Sequence, residues 1–290
     1  MKITLVRGFR SIDYSTNSMD KKPFRGKKGE YPPEIKAVIF DGGGTIWDSS
    51  ETLYESYRWG FSQLGLNLPL HPRVCHHLRG LRDFNTALGI AKALLWASGA
   101  VGNRDNLLFL ERQKANEYLR EKIDNFGREN SSFPPLASEL AQLFDEYLYN
   151  NVQEETYPLL PYAAQTLGKI QKAGYHLALV SIRRSISAKR ILTHLGLYRY
   201  FSHILSTEAL PEGGKSPRAA KEALKRLMIR PSHVLWVGDS GADISCAKKG
   251  GMFAVGVLTG LANRQTLLDE GADWILDDLS GLTDLLDIDH

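Results

Sequence analysis

The sequence predicts an α/β protein in which a parallel sheet carries an inserted helical lobe. Short apolar runs that end at polar or glycine residues occur once near the start of the chain and repeatedly in its second half. Segments with helical spacing of apolar residues separate them. A continuous apolar run closed by a turn signal is typical of a strand buried on both faces, and strands that alternate with helices indicate βαβ units.

The first strand candidate, residues 37–40, stops at Asp41 and a triple glycine. The other candidates are residues 177–180, 203–205, 234–237, 253–257 and 274–276. In sheets of this kind ligands bind at the carboxyl ends of the strands. We therefore expect Asp41, Ser181 and Asp239, which each follow a strand candidate, to lie close together.

The segment between the first and second strand candidates has a different pattern. It contains no convincing strand, and its clearest amphipathic helix is marked by Leu136, Leu140, Leu143, Phe144 and Tyr147. We predict a helical cap over 51–157, inserted into an α/β core formed by 35–50 and 158–290. Residues 1–34 are basic and contain Gly, Pro and Ser, which predicts a disordered tail.

The composition excludes several classes of protein. A formal net charge of +3 over 290 residues is too small to favour a nucleic-acid partner. Cys75 and Cys246 cannot form a disulfide framework in so long a chain, and they indicate a reducing compartment. No apolar run approaches the roughly 20 residues that span a bilayer. These features predict a cytoplasmic monomer or homodimer with no nucleic-acid or membrane partner.

Four features in chain order carry chemistry suited to a phosphoryl group. Asp41 can attack phosphorus and form an acyl phosphate, which divides hydrolysis into two easier steps. The glycines that follow, Gly42 and Gly43, allow backbone N–H groups to approach phosphate oxygens. The hydroxyl of Ser181 and the ammonium of Lys215 can hold the phosphoryl group and offset its charge.

The fourth feature is a pair of carboxylates, Asp239 and Asp243, at a predicted strand-to-helix turn. Both can face a hard cation such as Mg²⁺, which prefers oxygen ligands. In the cap, Arg79 and Arg82 are three residues apart and so share one helical face. They are candidates to meet an anionic substrate, although a solvated face fits the same pattern. Asp48 is interpreted as a turn residue.

Together these motifs resemble those of the haloacid dehalogenase superfamily, in its helical-cap, phosphoglycolate phosphatase-like subgroup. The likeness runs from about Ile35 to the end of the chain. It implies a Rossmann-like core, a Mg²⁺ cofactor and hydrolysis of a small phosphorylated metabolite through an aspartyl phosphate. The resemblance implies that Asp41 and Lys215 are catalytic, that Gly42, Gly43, Ser181 and Ile182 bind the phosphoryl group, and that Asp41, the Gly43 carbonyl, Asp239 and Asp243 hold the metal.

The sequence departs from this family at Gly43. Relatives usually have a second Asp there, which donates and then accepts a proton. Loss of a positioned acid or base typically costs about 10²–10⁴ in rate, which a good leaving group, an acidic group of the cap or a water would soften. Three alternatives stay open: a phosphate-binding protein without catalysis, a phosphonate hydrolase with Lys92 as imine former, and a metal-free dehalogenase.

Overall fold

The core of the molecule is a seven-stranded sheet. Its strands are β1 Phe24–Arg25, β2 Ala37–Phe40, β3 His176–Val180, β4 His203–Leu205, β5 Val234–Gly238, β6 Phe253–Val257 and β7 Trp274–Leu276. They lie in the order β1-β7-β6-β5-β2-β3-β4, with β2 to β7 parallel and β1 antiparallel to β7. The computed structural model describes residues 24–25, 34–99, 115–150, 157–206 and 215–288.

The central strands are buried on both faces, which explains their continuous apolar sequences. Every residue of β2 and of β5 is buried. Phe40 and Val237 join the apolar cluster on one face of the sheet, while Ile39 and Trp236 join the cluster on the other face. The prediction of a parallel α/β core is confirmed.

Helices cover both faces of this sheet. They are α6 Ala163–Lys172, α7 Ser185–His194, α8 Pro217–Leu227, α9 Gly241–Lys249, α10 Arg264–Asp269 and α11 Gly281–Leu285. Pro217 opens α8, where the missing N–H of proline costs nothing, and the Ser216 hydroxyl accepts a hydrogen bond from the Ala219 N–H. This local chemistry fixes the chain direction immediately after Lys215.

The chain between β2 and β3 forms helices with a core of their own. These are α1 Ser50–Gln63, α2 Pro72–Gly80, α3 Ala87–Ser98, α4 Ala115–Glu129 and α5 Phe133–Asn150. Tyr57, Phe61, Leu94, Leu140 and Phe144 are buried in one apolar cluster that is separate from those of the sheet. We call this unit the cap, and its limits at 51 and 157 stay a prediction.

Close contacts seat the cap against the carboxyl ends of the strands. The Asn85 side chain donates a hydrogen bond of 2.8 Å to the Ser240 hydroxyl, and both residues are buried. Gly80 lies against the backbone of Leu261, so that a Cβ there would be 2.7 Å from the Leu261 carbonyl oxygen. This glycine permits the close approach of the two units.

The edge strand β1 lies in the segment for which the composition predicts disorder. Phe24 pairs with Ile275, and Arg25 pairs with Trp274. A strand of two residues is too short to leave a recognisable pattern of alternation in the sequence. The rest of the predicted tail, up to residue 33, lies outside the described residues. Among the described residues, each helix is too short or too polar to cross a membrane.

Candidate active site

The chain turns sharply after β2, and glycine makes the turn possible. Gly42 accepts a backbone hydrogen bond from the N–H of Trp47, and a Cβ at Gly42 would overlap the Trp47 ring. Gly44 has φ 82°, a left-handed conformation that favours glycine. A Cβ at Gly44 would also overlap the carboxylate of Asp239. The glycines thus bring the loop directly against the end of β5.

Asp41 lies at the end of β2 and forms a buried ion pair with Lys215. The Lys215 Nζ is 2.8 Å from Asp41 Oδ2 and 2.8 Å from Asp243 Oδ2. Burial opposes the charge on Lys215, but the carboxylates of Asp243 and Asp41 outweigh it and raise the pKa of this lysine. Lys215 therefore stays charged next to Asp41.

Asp243 holds Lys215 in place next to Asp41. Its Oδ2 also accepts hydrogen bonds from the Ser240 hydroxyl at 2.6 Å and the Ser240 N–H at 3.2 Å. Its Oδ1 accepts one from the indole N–H of Trp236 at 3.1 Å. These contacts close the N-terminus of α9 in a capping box. Both oxygens of Asp243 are therefore occupied by protein donors.

Asp239 differs from Asp243 because one of its oxygens is free. Oδ2 accepts a hydrogen bond of 2.8 Å from the Leu261 N–H, whereas Oδ1 is buried and has no partner among the described residues. Burial raises the pKa of Asp41 and of Asp239, the charge of Lys215 opposes this in both, and the charge of Asp243 reinforces it in both. Asp41, Asp239 and Asp243 each offer an oxygen within 4.8 Å of the others. Three carboxylates around one ammonium, with an unpartnered oxygen, fit a divalent cation.

Ser181 directly follows β3 and lies beside this cluster. Its N–H donates to the Leu205 carbonyl, and its Oγ accepts the Arg183 N–H at 3.2 Å. The hydroxyl proton of Ser181 is therefore available to a bound anion. The Arg183 guanidinium lies 4.4 Å from the centre of the Tyr157 ring. Burial lowers the pKa of Arg183, while Tyr157 and, less strongly, the charge of Asp41 act in the opposite direction.

Gly43 has no side chain, and its surroundings are already filled. Its φ lies outside the left-handed region, so the backbone does not require glycine there. A Cβ at this position would lie 2.7 Å from Ser49 Oγ and 3.6 Å from Trp47 Nε1. The Ser49 side chain, rather than backbone strain, is what opposes a larger residue at Gly43.

One cavity of about 350 Å³ unites most of the predicted residues. We call its core side the floor, formed by Asp41, Gly43, Ser181, Ile182, Lys215 and Asp239. We call its cap side the roof, formed by Arg79, Asn85, Asp145, Leu148 and Tyr149. Gly42 and Asp243 lie behind the floor. The prediction that Arg79 and Arg82 share one helical face is wrong, because α2 ends at Gly80, Leu81 is extended and Arg82 begins a separate 3-10 turn. The side chain of Arg82 lies outside the described residues.

Sequence reasoning missed several residues of this cavity. Arg183 and Arg184 line it, and their positions just after Ser181 are a signal that could have identified them. Ser49 also lines it, eight residues after Asp41. Asp145 gave no signal, because it is one of several acidic residues on α5.

Comparison with known proteins agrees with this geometry. The family model described as haloacid dehalogenase-like hydrolase matches residues 35–251. The chain belongs to that family. Phosphoglycolate phosphatase of Vibrio parahaemolyticus is 27% identical over 257 residues, which cover 87% of this chain and 96% of the relative. The predictions of the family, and of an enzyme that hydrolyses phosphate esters, are thereby confirmed.

Solved structures with low sequence identity to this chain share its fold. A protein of Haemophilus somnus, described as a predicted phosphoglycolate phosphatase, matches with a TM-score of 0.60 and 23% identity, covering 87% of this chain and 97% of that one. A haloacid dehalogenase-like hydrolase of Streptococcus pneumoniae matches with a TM-score of 0.62 and 18% identity, covering 86% and 97%. These likenesses concern the fold alone.

Proposed function

We propose that this enzyme is a Mg²⁺-dependent phosphatase of a small phosphorylated metabolite and that Asp41 is its nucleophile. The observation that carries the proposal is the buried floor. There Asp41 is paired with Lys215, next to the unpartnered oxygen of Asp239. Such a floor combines a nucleophile, a fixed positive charge and free oxygen ligands at the base of one cavity.

The residues of the floor divide the work of the reaction. Asp41 attacks phosphorus. The positive charge of Lys215 offsets the repulsion between the Asp41 carboxylate and the negatively charged phosphoryl group. The hydroxyl of Ser181 donates a hydrogen bond to a phosphoryl oxygen. Backbone N–H groups of the glycine loop would approach the same group. The glycines let this loop pack closely, because a Cβ at Gly42 would overlap the Trp47 ring and one at Gly43 would lie 2.7 Å from Ser49 Oγ.

Asp41, Asp239 and the carbonyl of Gly43 would hold the cation. When bound, Mg²⁺ supplies charge that neutralises the phosphoryl oxygens. Asp243 suits a supporting role better than direct ligation, because both of its carboxylate oxygens accept hydrogen bonds from protein donors at 2.6–3.2 Å. It holds Lys215 in place, and that lysine in turn contacts Asp41.

The cations around the cavity favour a substrate with a second anionic group. Arg79 reaches it from the roof, and Arg183 and Arg184 line it from the start of α7. The Vibrio parahaemolyticus relative is named phosphoglycolate phosphatase, and phosphoglycolate carries a carboxylate as well as a phosphate. We therefore propose phosphoglycolate as the first metabolite to test.

Two competing functions receive less support. A phosphonate hydrolase would need a cap lysine at the reacting carbon, but Lys92 on α3 is outside the described lining of the cavity. A phosphate-binding protein without catalysis would need neither a buried Asp41 nor the energetically costly cluster around it.

The central test is Asp41→Asn, with Asp48→Asn as the matched control. Asp48 Oδ1 accepts the N–H of Ser50 at 2.8 Å at the start of α1, a contact that Asn can also make. We expect Asp41→Asn to keep the circular dichroism spectrum but lose turnover of 4-nitrophenyl phosphate by orders of magnitude. Asp48→Asn should keep turnover. Chelation should abolish wild-type activity and added Mg²⁺ restore it. Retained turnover in Asp41→Asn would refute the nucleophile.

A further inference from the structure

The roof of the cavity carries a carboxylate on a firmly packed helix. Asp145, Leu148 and Tyr149 follow the i, i+3, i+4 spacing of one helical face on α5, and all three line the cavity. On another face of α5, Leu140 and Phe144 are buried in the core of the cap. Asp145 is therefore held towards the cavity by a rigid element and not by a loop.

The geometry of displacement makes the roof the place where a proton is needed. The attacking and leaving oxygens of phosphoryl transfer lie roughly in line on opposite sides of phosphorus. Because Asp41 attacks from the floor, the leaving oxygen points towards the roof. The water that breaks the aspartyl phosphate enters from that same side. Gly43, on the floor, has no side chain that could exchange a proton with either oxygen.

The described lining of the cavity contains three carboxylates, and two already have roles. Asp41 is the nucleophile and Asp239 a metal ligand, which leaves Asp145. Its side chain is open to the water of the cavity. Partial burial nevertheless removes water from its carboxyl group and raises the pKa of Asp145, while the charges of Arg79 and Arg184 act in the opposite direction. The other charged groups that face this cavity are Arg183, Lys215, Asp41 and Asp239.

We propose that Asp145 is the general acid and base of this enzyme, acting from the cap in place of the missing Asp at Gly43. This role rests on the proposed function. As Asp41 bonds to phosphorus, the bond to the leaving oxygen breaks and that oxygen takes the proton of Asp145. The Asp145 carboxylate then takes a proton from water. The water oxygen bonds to phosphorus as the bond to Asp41 breaks, releasing inorganic phosphate.

The test compares Asp145→Asn with Glu146→Gln on two aryl phosphates. Glu146 is the next residue of α5, exposed and outside the described lining of the cavity. Phenyl phosphate has a poor leaving group that needs the acid, whereas 4-nitrophenyl phosphate has a good one. We expect Asp145→Asn to slow phenyl phosphate turnover by about 10²–10⁴. The first step with 4-nitrophenyl phosphate should stay within about tenfold of wild type.

The second step gives an independent signal. Without its base, Asp145→Asn should accumulate phosphorylated Asp41, seen as a burst of nitrophenol and as labelled protein in rapid-quench experiments. Wild type and Glu146→Gln should show neither. Equal loss on both substrates without a burst, or a change in KM alone, would overturn the role of Asp145. If Asp145→Asn behaves as wild type while Asp41→Asn is inactive, this proposal fails and the proposed function stands.

A rescue variant separates proton transfer from damage to the cap. Gly43→Asp with Ser49→Ala returns a carboxylate to the floor and removes the Ser49 Oγ that would lie 2.7 Å from the new Cβ. Added to Asp145→Asn, this pair should restore phenyl phosphate turnover by at least tenfold and remove the burst. A variant whose cap was merely distorted would gain nothing from it, and that outcome would count against the proposal.

Discussion

The floor and the roof of the cavity differ in how their charged groups are held. On the floor, the side chains of Asp41 and Lys215 are buried and 2.8 Å apart, and Asp243, behind the floor, contacts Lys215 at the same distance. On the roof, Asp145 is open to the cavity, and Tyr149 is 50% exposed and has the Arg184 guanidinium 4.1 Å from its ring centre. A rigid floor suits the phosphoryl group that every substrate shares. A more open roof suits the part that varies between substrates.

The largest effect we expect comes from removing the positive charge of Lys215 from the floor. Lys215→Met would leave Asp41 and Asp243 buried without their counterion. In chelator this should lower the free energy of unfolding by about 3–5 kcal/mol, because uncompensated buried charge is costly. Turnover should be lost as well. Urea unfolding followed by circular dichroism measures the first effect.

The matched control for this change is Lys248→Met on α9. Lys248 pairs with Asp273 at 2.7 Å, as short a contact as those of Lys215, but the two side chains are 38% and 25% exposed. Solvent screening should limit its effect to about 1 kcal/mol or less. If both variants lose the same stability, burial is not what distinguishes the floor from an ordinary surface pair.

The floor could be predicted from the sequence because its residues are tied to strand ends. Asp41, Ser181 and Asp239 follow β2, β3 and β5, and these three strands are neighbours in the sheet. The carboxyl ends of neighbouring parallel strands meet at one edge, so strand prediction alone places these side chains together. The triple glycine after Asp41 then indicated the phosphate loop.

The roof could not be predicted in the same way. Which face of α5 meets the cavity depends on how the cap packs on the core, through contacts such as Asn85 to Ser240. Asp145 therefore cannot be distinguished in sequence from Glu139 or Glu146 on the same helix. Arg79 was singled out by its spacing from Arg82, but α2 ends at Gly80, before Arg82, so the two residues do not share a helical face. The packing of the cap on the core is what brings Arg79 to the cavity.

A smaller effect, on substrate binding, should separate the roof from the floor. Arg79→Ala should raise KM for phosphoglycolate about 10- to 100-fold, the loss expected from a charge-assisted hydrogen bond worth about 1.5–3 kcal/mol. KM for phenyl phosphate, which has no carboxylate, should change little. Arg79 is buried in the cap close to Tyr57, so its loss can also weaken the packing of the cap. Such a weakening would raise both KM values alike and would leave their ratio unchanged.

Arg82→Ala examines the second arginine predicted to read the substrate. A selective rise in KM for phosphoglycolate in this variant alone would transfer that role from Arg79 to Arg82. Equal changes for both substrates in both variants would assign the two arginines to the structure of the cap.

The smallest effect we expect is a pH dependence of stability that arises from one buried thiol in the cap and one in the core. Cys75 on α2 of the cap and Cys246 on α9 of the core are both buried, and burial raises the pKa of each from 9.0 to about 12. Their thiols stay protonated in the folded protein when the unfolded chain has begun to lose its protons. The stability they contribute is complete below pH 9 and is lost as the pH rises towards 12.

Between pH 8 and pH 10, each thiol should therefore lower the free energy of unfolding by about 1.4 kcal/mol. Cys75→Ala and Cys246→Ala should each reduce the loss of stability between pH 8 and pH 10 by the contribution of one thiol. Because both pH values are measured on the same variant, the cost of the cavity that alanine leaves cancels in the comparison. If the cap and the core unfold together, both contributions appear in a single urea transition. If the contribution of Cys75 appears in an earlier transition, the cap unfolds on its own. A pH effect unchanged by either substitution would contradict the assignment to these thiols.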